Sequence, residues 1–154
     1  MKKRKIVFTL ICFLMIFILT GCGGKRAIST KDFKSKAKSN NYVTYNVIDQ
    51  FSSYAFIKEA TVAKSKDGFT VEFYVLEDDL NATNMFNTNK KIFESYKSNS
   101  SSESSLAVNN YSTYTLTTGG YYMYICKVDN TLLYAKVKDT YKNSVKTFIK
   151  ELGY

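Results

Sequence analysis

The hydrophobic period of this chain alternates between that of a helix and that of a strand, in an order that leaves few folds open. Ser29-Thr30-Lys31-Asp32 has the form of a capping box with Asp in place of the usual Glu, and Phe33 with Ala37 predicts a short amphipathic helix to about Asn40. Three strand-like runs follow, at 42–49, 55–64 and 69–76. The last sets Phe69, Val71, Phe73 and Val75 on one face and Thr70, Glu72 and Tyr74 on the other. Lys66-Asp67-Gly68 is a hairpin turn signal between the second and third runs.

A second helix starts at Glu77-Asp78-Asp79, where acid suits the exposed amides and the dipole of a helix N-terminus. Ala82, Met85, Phe86, Asn89, Ile92, Phe93 and Tyr96 then recur at helical spacing, with Lys90, Lys91 and Lys97 outside that face. The serine-rich stretch 98–105 reads as a mobile loop, although loops on rigid scaffolds also hold partner contacts. Strand-like runs at 111–118, 121–129 and 131–138 are joined by the tight-turn dipeptides Gly119-Gly120 and Asp129-Asn130. An amphipathic helix bearing Tyr141, Val145, Phe148, Ile149 and Leu152 ends at Gly153. The order αβββαβββα predicts an α+β fold with a mostly antiparallel sheet in two three-stranded meanders covered by helices. Phe73, Phe86, Phe93, Ile125 and Phe148 are expected to meet in one core.

The N-terminus points to a different role. Lys2, Lys3, Arg4 and Lys5 precede an apolar run of 14 residues at 6–19, shorter than the roughly 20 a spanning helix needs. An ordinary secretory site would show an Ala-x-Ala pattern, and none precedes Cys22. With Leu19-Thr20-Gly21-Cys22 at its end, the leader resembles that of a bacterial lipoprotein, the four residues forming the lipobox. The resemblance covers residues 1–22. It implies a diacylglyceryl group on the thiol of Cys22, cleavage before it, and a location on the extracytoplasmic face of the cell membrane. Residues 1–21 are then a signal peptide, 22–28 a tether, and 29–154 a single α+β domain. The domain itself is similar in pattern and in its Asn/Lys/Tyr-rich style to small Gram-positive lipoproteins of unknown function, a likeness that implies no activity.

Cleavage leaves 133 residues and removes four of the 22 basic residues but none of the 13 acidic ones, so the net charge falls from +9 to +5. Outside the membrane a modestly basic domain meets anionic headgroups, wall polymers or envelope proteins; nucleic acid is not an expected partner. Cys126 is the one thiol left besides Cys22, so no disulfide can form within the domain.

The chain contains no histidine, which removes the usual Ser-His-Asp and Cys-His catalysis and the commonest zinc ligand. Cys126 lies mid-strand, where a buried structural thiol is expected rather than a nucleophile. Glu77-Asp78-Asp79 lacks the spaced oxygen ligands of a calcium loop and reads as a helix start. No phosphate-binding loop, serine elbow or HExxH is present, and no metal or cofactor is expected. What remains is the tyrosine set Tyr111, Tyr114, Tyr121, Tyr122, Tyr124 and Tyr134. It is read either as strand propensity with alternate rings in the core, or as a flat amphipathic platform for sugars or peptides. The closing helix can cover only one sheet face, so one side of the 121–129 run is expected to face solvent, and Tyr121, with Tyr111 and Tyr114, forms the candidate binding surface. The expected function is a noncatalytic binding or interaction module. A histidine-free wall hydrolase, which needs a perturbed carboxylate pair in a cleft, and an immunity-type lipoprotein that blocks a partner are the alternatives.

Overall fold

The computed structural model describes residues 24–154. The lipobox, Cys22 and the apolar run 6–19 lie outside the described residues. The order of elements is α1 (Thr30–Ser39), β1 (Val43–Asn46), β2 (Ile57–Lys64), β3 (Thr70–Leu76), α2 (Asp79–Glu94), β4 (Ser102–Val108), β5 (Tyr111–Thr118), β6 (Tyr121–Val128), β7 (Thr131–Lys138) and α3 (Lys142–Leu152). The fold is α+β: one seven-stranded antiparallel sheet in the order β1-β2-β3-β7-β6-β5-β4, with helices packed on it. The two meanders join where β3 pairs with β7, Phe73 opposite Leu133.

Local chemistry sets the boundaries. Ser29 and Asp32 form the reciprocal capping box, the Asp32 N–H donating to Ser29 Oγ at 3.1 Å. Asp78 accepts from the Asn81 N–H at 2.7 Å and starts α2. Gly119 and Gly120, at φ 54° and 78°, form the two-residue turn between β5 and β6, left-handed positions that favour glycine. At the end of α3, Gly153 turns the chain at φ 85°. The strand run expected at 42–49 is shorter, because Asn46 accepts from the Ile48 N–H and the chain turns into a 3₁₀ segment, Ile48–Phe51.

The loop and the core also depart from expectation. The stretch 98–105 is not one loop. Only its first residues turn, the Ser98 N–H donating to Ser101 Oγ at 2.8 Å, and from Ser102 the chain is a strand paired residue for residue with β5, so the order is αβββαββββα. β4 is exposed along nearly its whole length, so it has no buried side to impose alternation, and backbone hydrogen bonds to β5 hold it together with the side chain of Glu103.

Nor do the five predicted core residues form one cluster. α1 and α3 cover one face of the sheet, where Phe33, Phe73, Tyr122, Tyr124, Cys126 and Phe148 pack; α2 covers the other, where Phe86, Phe93, Met123, Ile125 and Leu132 pack. β6 is therefore buried on both sides from Tyr122 to Val128, and no face of this strand is left open to solvent. Aromatic stacking reinforces the first layer, with Phe33 and Phe73 ring centroids 4.9 Å apart and Tyr42 and Phe148 4.5 Å apart.

The segment read as tether is docked from Lys25 onward. The Lys25 N–H donates to Asn110 Oδ1 at 3.2 Å and the Asn110 amide donates back to the Lys25 carbonyl at 2.6 Å, while Ala27 and Ile28 pack on the core.

Candidate functional site

The sheet is wider than the two helices on its α1/α3 face. Those helices sit over its centre and leave the β4–β5 hairpin uncovered, which opens a groove of about 440 Å³ between α3 and that hairpin. Its floor follows from strand alternation and register: Thr113 and Thr115 of β5, with Tyr122 and Tyr124 of β6 opposite Thr117 and Thr115. Ser104 and Leu106 of β4 form the outer side, and Lys146, Ile149 and Lys150 of α3 the inner wall. Lys25, Tyr111 and Tyr154 also line it.

Its electrostatics are one-sided. Three lysines line the groove, Lys25, Lys146 and Lys150, and no Asp or Glu side chain does. Lys146 and Lys150 have no ion-pair partner among the described residues. Lys25 lies over the Tyr111 ring at 5.2 Å and donates to the Gly153 carbonyl at 3.3 Å. One turn before Lys146, Lys142 donates to Thr117 Oγ1 at 3.1 Å and extends the basic line. Burial pushes the Tyr122 phenol up to about 12 and raises that of Tyr124, so both stay protonated near neutrality and keep their O–H groups.

Two other concavities differ in character. One of about 670 Å³ between α1, the β2–β3 turn and the start of α3 is lined by Asn40, Asn41, Asn143, Ser144 and Thr147, with Lys66 and Asp67 together. Another, of about 870 Å³ along α1, mixes Arg26 and Lys36 with Asp32. Of the three, the groove beside α3 is the one whose charged side chains are purely basic.

The expected tyrosine surface is not brought together. Tyr121 is 43% exposed but lies on the α2 face, beside Lys136, which is 5.9 Å from its ring. Tyr114 is 1% exposed, with its O–H donating to Glu103 at 2.7 Å, so it presents no ring to a ligand. Tyr111 lies in the groove on the opposite face from Tyr121, because residues an even number apart on β5 share a face and register sets Tyr111 opposite Val128. The groove lysines were not singled out in the sequence, yet Lys142, Lys146 and Lys150 recur every four residues, the spacing of a stripe along one side of a helix.

The remaining candidates take ordinary structural places. Cys126 is fully buried, its thiol raised by burial, and accepts from Thr113 Oγ1 at 3.3 Å. The three acids at the start of α2 go to separate partners: Asp78 caps the helix, Glu77 pairs with Lys58 at 3.2 Å, and Asp79 pairs with the buried Lys127. Among the described residues no group of three or more Cys, Asp or Glu is arranged to hold a metal.

One carboxyl is perturbed upward. Glu72, on the α2 face, is raised by burial, an effect partly offset by the Tyr74 O–H that donates to it at 2.5 Å. Its partner is thus a phenol and not a second carboxylate. A folded-state value above the ordinary 4.5 means that the folded chain binds the extra proton, so stability from this group is present below that value and is lost as pH rises through the raised value. Glu72→Gln keeps an acceptor for Tyr74 and removes the titration. The stability advantage of the Gln variant should therefore grow as pH rises across this window in urea denaturation of the full chain. A difference that does not change with pH would show that Glu72 has the same proton affinity folded and unfolded.

No family model matches the chain, and no curated protein matches it. Among solved structures, a GTP binding regulator from Thermotoga maritima is similar over 86% of this chain and 90% of its own, at 19% identity and a TM-score of 0.45. That likeness ties the chain to no activity.

Proposed function

We propose that this chain is a lipid-anchored module on the extracytoplasmic face of the cell membrane, that its role is noncatalytic, and that it holds an extended anionic ligand in the groove between α3 and the β4–β5 hairpin. The lipobox Leu19-Thr20-Gly21-Cys22 supports the address. The observation that carries the binding reading is a concave site lined by three lysines, the half-buried ring of Tyr111 and threonine hydroxyls, with no Asp or Glu side chain among its lining residues. Uncompensated like charges repel one another in the folded state, a cost that an anionic ligand relieves. Tyr111 adds flat amphipathic surface, and the threonines add hydrogen-bond donors.

Inorganic polyphosphate, an anion without peptide groups, tests the charge reading alone. With the full chain in detergent, the pair Lys146→Glu and Lys150→Glu should weaken polyphosphate binding by at least about tenfold at low salt, and the binding of the unaltered chain should fall as salt rises. Tyr121→Ser, on the other sheet face, should leave that binding unchanged. Equal affinity of the double variant and the unaltered chain would sink the groove as an anion site. Both lysines are exposed, so their replacement should leave thermal stability close to that of the unaltered chain.

A further inference from the structure

The groove is bordered by a sheet edge that nothing covers among the described residues. β4 is the last strand of the order, so one side of its backbone has no neighbouring strand among the described residues. Proteins blunt such edges with short strands, proline, lysine, bulges or a covering loop, because unpaired N–H and C=O groups template further pairing. The opposite edge, β1, is four residues long and gives way to a 3₁₀ turn. β4 runs for seven residues, Ser102-Glu103-Ser104-Ser105-Leu106-Ala107-Val108, in unbroken register with β5, and contains neither proline nor lysine. Its one charge is already engaged: Glu103 pairs with Lys97 at 2.5 Å and accepts from Tyr114.

We infer that β4 is a docking edge for an extended acidic segment of another polypeptide, which adds an eighth strand to the sheet and turns alternate carboxylates toward the groove lysines. This rests on the reading of the groove as an anion site and names the ligand class. Side chains of an added strand alternate between faces, so every second one stands on the same face as Ser102, Ser104 and Leu106. Ser102 and Ser104 are small, and a glutamate arriving beside them can lean inward over β4 toward Lys146 and Lys150. Backbone hydrogen bonds to β4 supply affinity without regard to sequence, and the lysines select acid at alternate positions. Leu106, 49% exposed, offers one apolar contact on that side. A second copy of this chain fits less well. Pairing β4 with β4 across a two-fold axis would extend one continuous face carrying the unpaired lysines of both copies, like charge beside like charge.

The test uses the full chain in detergent and three nine-residue probes. One alternates Glu and Val, the second is the same peptide with alternate backbone nitrogens methylated, and the third has Lys in place of Glu. The Glu-Val peptide should bind and slow amide hydrogen exchange within residues 102–108. N-methylation should cost at least about tenfold in affinity, the Lys-Val peptide should not bind, and Lys146→Glu with Lys150→Glu should weaken the Glu-Val peptide by at least about tenfold. If the methylated peptide binds as well and 102–108 is not protected, strand addition is overturned, while lysine-dependent polyphosphate binding would still uphold the groove. Failure of both polyphosphate and peptide removes the groove reading together with the edge. Protection of 102–108 that rises with protein concentration in the absence of peptide would replace the acidic segment by a second copy of the chain.

Discussion

Replacing Phe93 by alanine is expected to lower the unfolding free energy by about 3–5 kcal/mol, the usual cost of emptying a buried aromatic site. Phe93 is fully buried on the underside of α2, with its ring centroid 5.3 Å from that of Tyr134. α2 is the helix that covers this sheet face over β6 and β7, so the cavity would open between layers that have no other cover there among the described residues. Against a typical total of about 5–15 kcal/mol the loss brings the domain close to unfolding at growth temperature. Urea midpoints of the full chain measure it, with Ile92→Ala as the comparison. Ile92 is the preceding residue on the same helix but is 46% exposed, and its truncation should cost well under about 1 kcal/mol. Equal losses at the two positions would mean that α2 is rotated about its axis from the placement described.

The second large effect is all or none. If Cys22 carries a diacylglyceryl group, Cys22→Ala is expected to abolish incorporation of radiolabelled fatty acid and to leave the leader uncleaved. Two acyl chains suffice for stable attachment, so the labelled wild type should partition with membranes after a high-salt wash. Cys126→Ala provides the control. That thiol is fully buried, beyond reach of an acyl transferase in the folded domain, and its variant should be labelled like the wild type. Label on the Cys22→Ala chain would place the acceptor elsewhere and remove the proposed anchor.

The elements with one buried side are legible in the amino-acid pattern. The alternation of Phe69, Val71 and Phe73, the helical spacing of Phe86 and Phe93, and the glycine and Asp-Asn turns place six strands and three helices close to where they occur. β4 escapes because a strand exposed on both faces carries no period, and serine is as common in loops as it is unremarkable on an edge. The division of the core escapes for a different reason. β6 reads Tyr122-Met123-Tyr124-Ile125-Cys126, apolar at every position, and such a run states that both faces are buried without saying which helices do the covering. In the site, the tyrosines draw attention as a group, although β-strand alternation necessarily sends Tyr121 and Tyr122 to opposite faces. The lysines of α3 carry the more useful pattern, a repeat of four that an amphipathic helix turns into a line along the groove.

If Cys22 carries the proposed lipid, the clasp between Lys25 and Asn110 limits how far the domain can wander from it. Lys25 follows Cys22 by three positions, a reach of at most about 11 Å even when fully stretched. Asn110 sits at the tip of the β4–β5 hairpin, and Lys25 itself lines the groove, so an anchor on Cys22 leashes this corner of the molecule to the headgroups. Under the proposed anchor, so short a leash would hold the hairpin tip and the Lys25 end of the groove close to the bilayer. What they would meet first under that anchor is whatever emerges from the same membrane, such as the exposed stem of a neighbouring protein.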